Sequence, residues 1–153
     1  MSDDRFDILN SRFQNCNMAN TLKLEIVTPD AKTYSEDVDM VTLPGAEGEM
    51  GIFPNHVPLM TQVVAGEVSV RKGGQDFFLA IGEGFAEITG DRVAIMTDMA
   101  IKAENIDEVK AEEARRRAEA RLAEKIDDEE AAMVGAALAH SLAQLKVKRR
   151  QRH

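Results

Sequence analysis

The 153-residue sequence has no tryptophan, a single tyrosine and a single cysteine, and each shortage closes off a class of function. Aromatic residues make up 5% of the chain, too few for a surface on which nucleic-acid bases stack. A formal charge of −8 repels a phosphate backbone and argues against general nucleic-acid binding. Cys16 alone can build neither an intramolecular disulfide nor a multi-cysteine metal site. The three histidines, His56, His140 and His153, are far apart in sequence and show no ligand spacing. No run of eighteen apolar residues occurs, so no segment reads as a membrane-spanning helix. The N-terminus lacks a basic stretch followed by an apolar one, the mark of a secretory signal. A soluble protein in a reducing, cytoplasmic compartment is the expectation.

Apolar residues are 44% of the chain, enough for a real core. The charge is unevenly placed. Residues 1–103 hold 16 acids and 8 bases, whereas 104–153 hold 11 of each. Within the second part, Asp127 to Glu130 is wholly acidic and Lys146 to Arg152 strongly basic. Two differently built halves follow from this segregation.

Residues 1–18 are polar and patternless, and are expected to be a flexible extension or the product of an upstream start codon. From Thr21 the period is two: Leu22, Leu24 and Ile26 alternate with Lys23 and Glu25, as in a half-buried strand. Pro29-Asp30 turns the chain. Strand-like runs recur at Val63 to Val70, Phe77 to Ile81, Phe85 to Ile88 and Val93 to Thr97, with Gly73-Gly74 and Gly90-Asp91 as turns between them. At Asn105 the pattern changes. Asn105 with Glu108, and again Asp127 with Glu130, have the spacing of helix-starting caps. Helix formers dominate between them, which predicts two helices joined near Ile126 to Asp128. The expected packing faces are Ala111, Ala114, Ala118 and Leu122 on the first helix, and Ala131, Val134, Leu138, Leu142 and Leu145 on the second. Such Ala-rich seams bury little surface, so the pair should be marginal alone and able to leave its docking surface. The predicted class is α+β: an antiparallel β-sandwich or barrel over 19–103, then a two-helix antiparallel hairpin over 104–153.

The most particular segment is Leu43 to Thr61. Gly45, Gly48 and Gly51 could suggest a phosphate-cradling loop, but such a loop needs a helix directly after it. Pro54 and Pro58 follow instead, so the segment is expected to be a rigid, irregular surface loop. His56 stands between these prolines. No Ser, Cys or acid forms a recognisable partnership with it, which favours a loop-ordering hydrogen bond over general-base catalysis. Glu47 and Glu49 read as solvated acids. Arg115, Arg116 and Arg117 read as a solvated helix face paired with neighbouring acids. The basic tail has no such partners in sequence. It is expected to be a solvated terminus or to seek an acidic protein surface or anionic lipid.

Gly-Ala-Glu-Gly-Glu-Met-Gly-Ile-Phe-Pro-Asn-His-Val-Pro-Leu, residues 45–59, closely resembles the signature of the epsilon subunit of F-type ATP synthases. The likeness covers roughly 19–153 and continues through Gly82, Gly84 and Phe85 and through Ile106 to Ala111. It implies a β-sandwich with a helical hairpin, no catalytic site, and a place in the central stalk between the gamma subunit and the c-ring. The site would be peripheral, on the cytoplasmic face of a bacterial plasma membrane. Glu49 and His56 would lie at or near the c-ring contact. The hairpin of such subunits can extend into the catalytic head, against acidic segments of the alpha and beta subunits, and block ATP hydrolysis. Ile106, Asp107, Lys110 and Ala111 match the family's ATP-sensing pattern, Ile/Leu-Asp-x-x-Arg-Ala, with Lys in place of Arg. Lys lacks the planar fork that holds phosphate at two points. His140 and Gln144 stand where strongly nucleotide-binding members carry basic residues. ATP is therefore implied as a regulatory ligand at most, with a weakened anion site. A free-standing ATP-sensing module is the alternative reading, and an enzyme using His56 a third.

Overall fold

A computed structural model describes residues 21–152. The expected N-terminal extension, Cys16 and His153 lie outside the described residues. The chain forms strands β1 (Leu22–Val27), β2 (Lys32–Val38), β3 (Met40–Gly45), β4 (Gly48–Ile52), β5 (Leu59–Val63), β6 (Gly66–Lys72), β7 (Gln75–Ile81), β8 (Gly84–Ile88), β9 (Arg92–Thr97) and β10 (Ala100–Lys102). A 3-10 turn (Ala103–Asn105) leads to helices α1 (Glu108–Leu122) and α2 (Asp128–Gln151). The strands run in the order β10-β7-β6-β3-β5-β8-β9-β1-β2, with β4 on the side of β3. Only one residue pair, Gly45 with Val63, joins β3 to β5, and there the sheet folds over into two layers. The pairing is antiparallel except between β1 and β9, which lie side by side in parallel register.

Aliphatic side chains fill the space between the layers. Leu22, Leu24 and Ile26 of β1 meet Val41 and Leu43 of β3, Val68 and Val70 of β6 and Val93 and Ile95 of β9, all essentially inaccessible to solvent. The alternation seen in the sequence thus turns one face of each strand inward. Glu25, on the other face of β1, accepts from Lys32 Nζ at 2.8 Å and Arg92 Nη2 at 2.5 Å, tying β2 and β9 to β1. At the β6–β7 turn Gly73 and Gly74 have φ of +57° and +78°, the left-handed conformation that makes glycine the fitting residue.

Four expectations need correcting. The run Val63 to Val70 is two strands, because Val64 N–H turns back to the Pro44 carbonyl at 2.9 Å before β6 begins. The glycine-rich loop is regular in its first half, where β3 and β4 form a hairpin. The first helix is capped by Asp107, whose Oδ1 accepts from Val109 and Lys110 N–H. Asn105 instead ends the 3-10 turn, which buries Ile106 before the helix can start. Finally, Leu122 and Leu142 are exposed, while Ala143 and Val147 are buried, because α2 packs on the sheet as well as on α1. The second cap is as read: Asp127 Oδ1 accepts from Glu130 N–H at 2.7 Å.

Candidate functional site

The β3–β4 hairpin closes so tightly that a Cβ on Gly45 would lie 2.8 Å from the Gly48 carbonyl, and Gly48 itself has φ of +131°. These glycines serve a turn, and a strand follows them rather than a helix. Ile52 anchors the end of β4 in the core. Beyond it the chain is pinned to the β8–β9 turn, where Asn55, itself left-handed at φ 66°, donates its N–H to the Gly90 carbonyl at 2.6 Å. His56 Nδ1 donates to the Val57 carbonyl at 2.7 Å, the loop-ordering bond anticipated above. The ordered loop shows apolar groups to water: Phe53 is 59% exposed and Val57 70%. Glu49 projects from β4 and lies 3.8 Å from Lys146 Nζ of α2. Among the described residues, neither a hydrogen bond nor an ion pair joins Glu49 to His56. A pinned loop with an uncovered apolar tip has the chemistry of a protein-docking surface.

A second apolar surface crosses the outer layer. Phe85 of β8 is in register with Met96 of β9, and Met96 with Val27 of β1; all three are exposed on the face away from the core. Met60 of β5 is also exposed. These runs read as strands from their inward positions, yet their outward positions are apolar too. That double apolarity is the signal that could have found the surface.

The hairpin is folded down in this structure. α2 lies across β6, β7 and the 3-10 turn, where Ala80, Ala103, Ile106, Ala143 and Val147 form a small apolar cluster bordered by Phe78, Met99 and Ile101. Basic groups of α2 face acids of the rest of the chain. Arg150 Nη1 donates to Glu67 Oε1 at 2.5 Å, and its guanidinium stands 5.1 Å from the Phe78 ring centre. His140 Nε2 is 3.2 Å from Asp98 Oδ2, Lys148 Nζ donates to the Ala103 carbonyl at 3.3 Å, and Arg152 pairs with Glu108 of α1. Lys146, Lys148, Arg150 and Arg152 of the basic tail, partnerless in sequence, thus have partners within the same chain. Nothing local in β6 or the β9–β10 turn says that Glu67 and Asp98 meet basic groups of α2.

The residues of the implied nucleotide pattern have these places. Ile106 is buried in the apolar cluster under α2, and Ala111 is buried as well. Asp107 caps α1, and Lys110 stands in solvent 4.0 Å from Asp107. Gln144 Nε2 is turned to Met99 Sδ at 3.2 Å. A cleft of about 810 Å3 lies elsewhere, lined by Tyr34, Lys72, Phe77, Lys102 and Arg150 among others. Its cations are occupied: Lys72 by Glu36, Lys102 by the Tyr34 ring and Arg150 by Glu67. Burial, reinforced by Glu36, pushes the Tyr34 phenol up to about 12.

Comparison with known proteins agrees with this architecture over nearly its whole length. Residues 21–103 match the family described as ATP synthase, Delta/Epsilon chain, beta-sandwich domain, and 104–149 match its long alpha-helix domain. The chain is 44% identical over 132 residues to the ATP synthase epsilon chain of Dehalococcoides mccartyi, covering 86% of this chain and 94% of that one. It is 45% identical over 130 residues to the epsilon chain of Syntrophobacter fumaroxidans, covering 85% and 97% respectively. Among solved structures, it superposes with a TM-score of 0.70 and 26% identity on a chain of the Euglena gracilis mitochondrial ATP synthase, in a structure of its OSCP, F1 and c-ring. That superposition covers 88% of this chain and 82% of the other. The β-domain with its Gly45–Pro58 loop, the hairpin behind it and these relatives agree: the chain belongs to the ATP synthase epsilon-chain family.

Proposed function

We propose that this chain is a rotor subunit of the central stalk, that it joins the gamma subunit to the c-ring, and that it carries no catalytic site of its own. The observation that carries the reading is the pinned loop after β4, which holds Phe53 and Val57 out to solvent on either side of His56 in the chain. An apolar tip on a rigid loop is stable in water only at a cost that a partner removes. The c-ring is the partner that the family supplies for it. The exposed row Val27, Met96 and Phe85 is a second such face, and we assign it to gamma. No helix among the described residues is long and apolar enough to cross a membrane. In this reading, which rests on the family, attachment is through the complex, at the cytoplasmic face of a bacterial plasma membrane.

The hairpin adds regulation. Folded down, it is held by the small cluster around Val147 and by contacts such as that of Lys148 with the Ala103 carbonyl; extended, its basic tail would meet acidic segments of the alpha and beta subunits and obstruct rotation mechanically. Tagged chain is expected to co-purify with gamma and the catalytic head, and its absence from that assembly would overturn the stalk reading. Phe53→Asp with Val57→Asp is expected to lose the c-ring and retain gamma. A chain ending at Asn105 should assemble normally and raise ATP hydrolysis. Unchanged hydrolysis there would remove the inhibitory role and leave the stalk role standing.

A further inference from the structure

In β6 the alternation of side chains sends Val68 and Val70 into the sandwich core and Glu67 to the opposite face. That face is the floor on which α2 rests. Glu67 is in register with Ala80, and Ala80 packs with Ala143 and Val147 of α2. The side chain of Glu67 is consequently 3% exposed. Its Oε1 accepts from Arg150, but its Oε2 is buried with no hydrogen-bond partner among the described residues. Arg150 is in a different situation. It lies in the last turns of α2, is 54% exposed and rests on the Phe78 ring, so it is already largely hydrated.

We infer that Glu67 is the release element of the folded-down hairpin, a carboxylate that docking of α2 strips of water and satisfies at only one of its two oxygens. Desolvating a carboxylate is costly, and one charge-assisted hydrogen bond offsets only part of that cost. When α2 lifts away, both Glu67 oxygens regain water, while Arg150 gives up little. The pair therefore fixes where α2 sits more than it tightens the docking. Beside the pair, a groove of about 410 Å3 runs between α2 and the β3–β4 hairpin, lined by Pro44, Val64, Leu142 and Lys146. Glu67 borders this groove, so the acid lies at the seam where separation would begin. The pair thus keeps a hairpin with a small apolar seam releasable.

The inference deepens the regulatory part of the proposed function, and its test reads docking alone in the isolated full-length chain. A negative result would therefore leave the effect of truncation on hydrolysis untouched. The measurement is amide hydrogen exchange of α2 by mass spectrometry, with β6 and β9 as internal controls for an intact sandwich. Arg150→Met leaves Glu67 buried without a counter-charge and should speed exchange in α2 about a hundredfold or more. Glu67→Met should slow it below the original rate, since the apolar side chain has no water to lose. The double variant should also exchange no faster than the original chain, as replacement of a buried ion pair by apolar groups is commonly neutral or stabilising. Unchanged exchange in Arg150→Met would overturn the inference. A double variant as fast as Arg150→Met alone would do the same, because the loss would then come from Arg150 packing on Phe78 and not from a stranded acid.

Discussion

Val147 offers the sharpest measure of how loosely the hairpin is held. It is fully buried, yet it belongs to the small cluster under α2 and not to the sandwich core. Val147→Ala removes two methyl-sized groups, worth about 0.8 kcal/mol each. The cavity left behind adds about 24 cal/mol per Å3, bringing the loss to about 2.5 kcal/mol, or roughly sixtyfold in the docking equilibrium. The other members of the cluster are three alanines and Ile106, so little remains to absorb the loss. Thiol labelling reads this directly. A cysteine at Ala143, buried in the same interface, is placed in a Cys16→Ser background and its reaction with an aromatic disulfide is timed under native conditions. Labelling should accelerate roughly sixtyfold in Val147→Ala. The control is Val68→Ala, equally buried but within the sandwich, which should lower global stability and leave labelling at 143 unchanged. If Val147→Ala and Val68→Ala accelerate labelling alike, exposure occurs only by global unfolding, and the separate mobility of the hairpin is refuted.

The acid limb of stability should run through Glu25. Hydrogen bonds from Lys32 and then Arg92 hold its carboxyl below the ordinary value of 4.5, so its contribution is complete above that pH and is lost as pH falls through the depressed value. Glu36, held low by Lys72, and Asp76, held low by Arg71, act in the same sense. Glu25→Gln should lower the urea midpoint at neutral pH and narrow the difference between neutral and acid midpoints; an unaltered difference would exclude Glu25 as a contributor. For the nucleotide, calorimetric titration of the chain with ATP is expected to show no saturable binding. Lys110 is the exposed cation of the pattern, and Asp107 is committed to the helix cap. A saturable isotherm that vanishes in Lys110→Ala would restore the sensor reading.

The sandwich was legible because its information is local. Period-two alternation such as Leu22, Leu24 and Ile26 fixes which face turns inward, and Gly73-Gly74 fixes a turn, without knowledge of any other strand. The loop was legible for a different reason, the likeness of its residues to a known signature, while its regular first half was not, since Gly48 to Ile52 alone gives no strand pattern. What stayed hidden depends on pairs far apart in sequence. Asn105 with Glu108 has the cap spacing, yet Asp107 caps the helix, because the burial of Ile106 delays its start. The face of α2 was misplaced because a helix packed on two surfaces has two apolar stripes, and the Ala143 and Val147 stripe is too weak to register beside the leucines. Glu67 and Arg150 are separated by 83 residues, and each reads alone as an ordinary solvated charge. Their meeting under α2 converts a surface acid into a buried one. The residues beneath the hairpin are therefore the ones least marked in sequence, and a tail that reads there as free for a partner is engaged with its own chain.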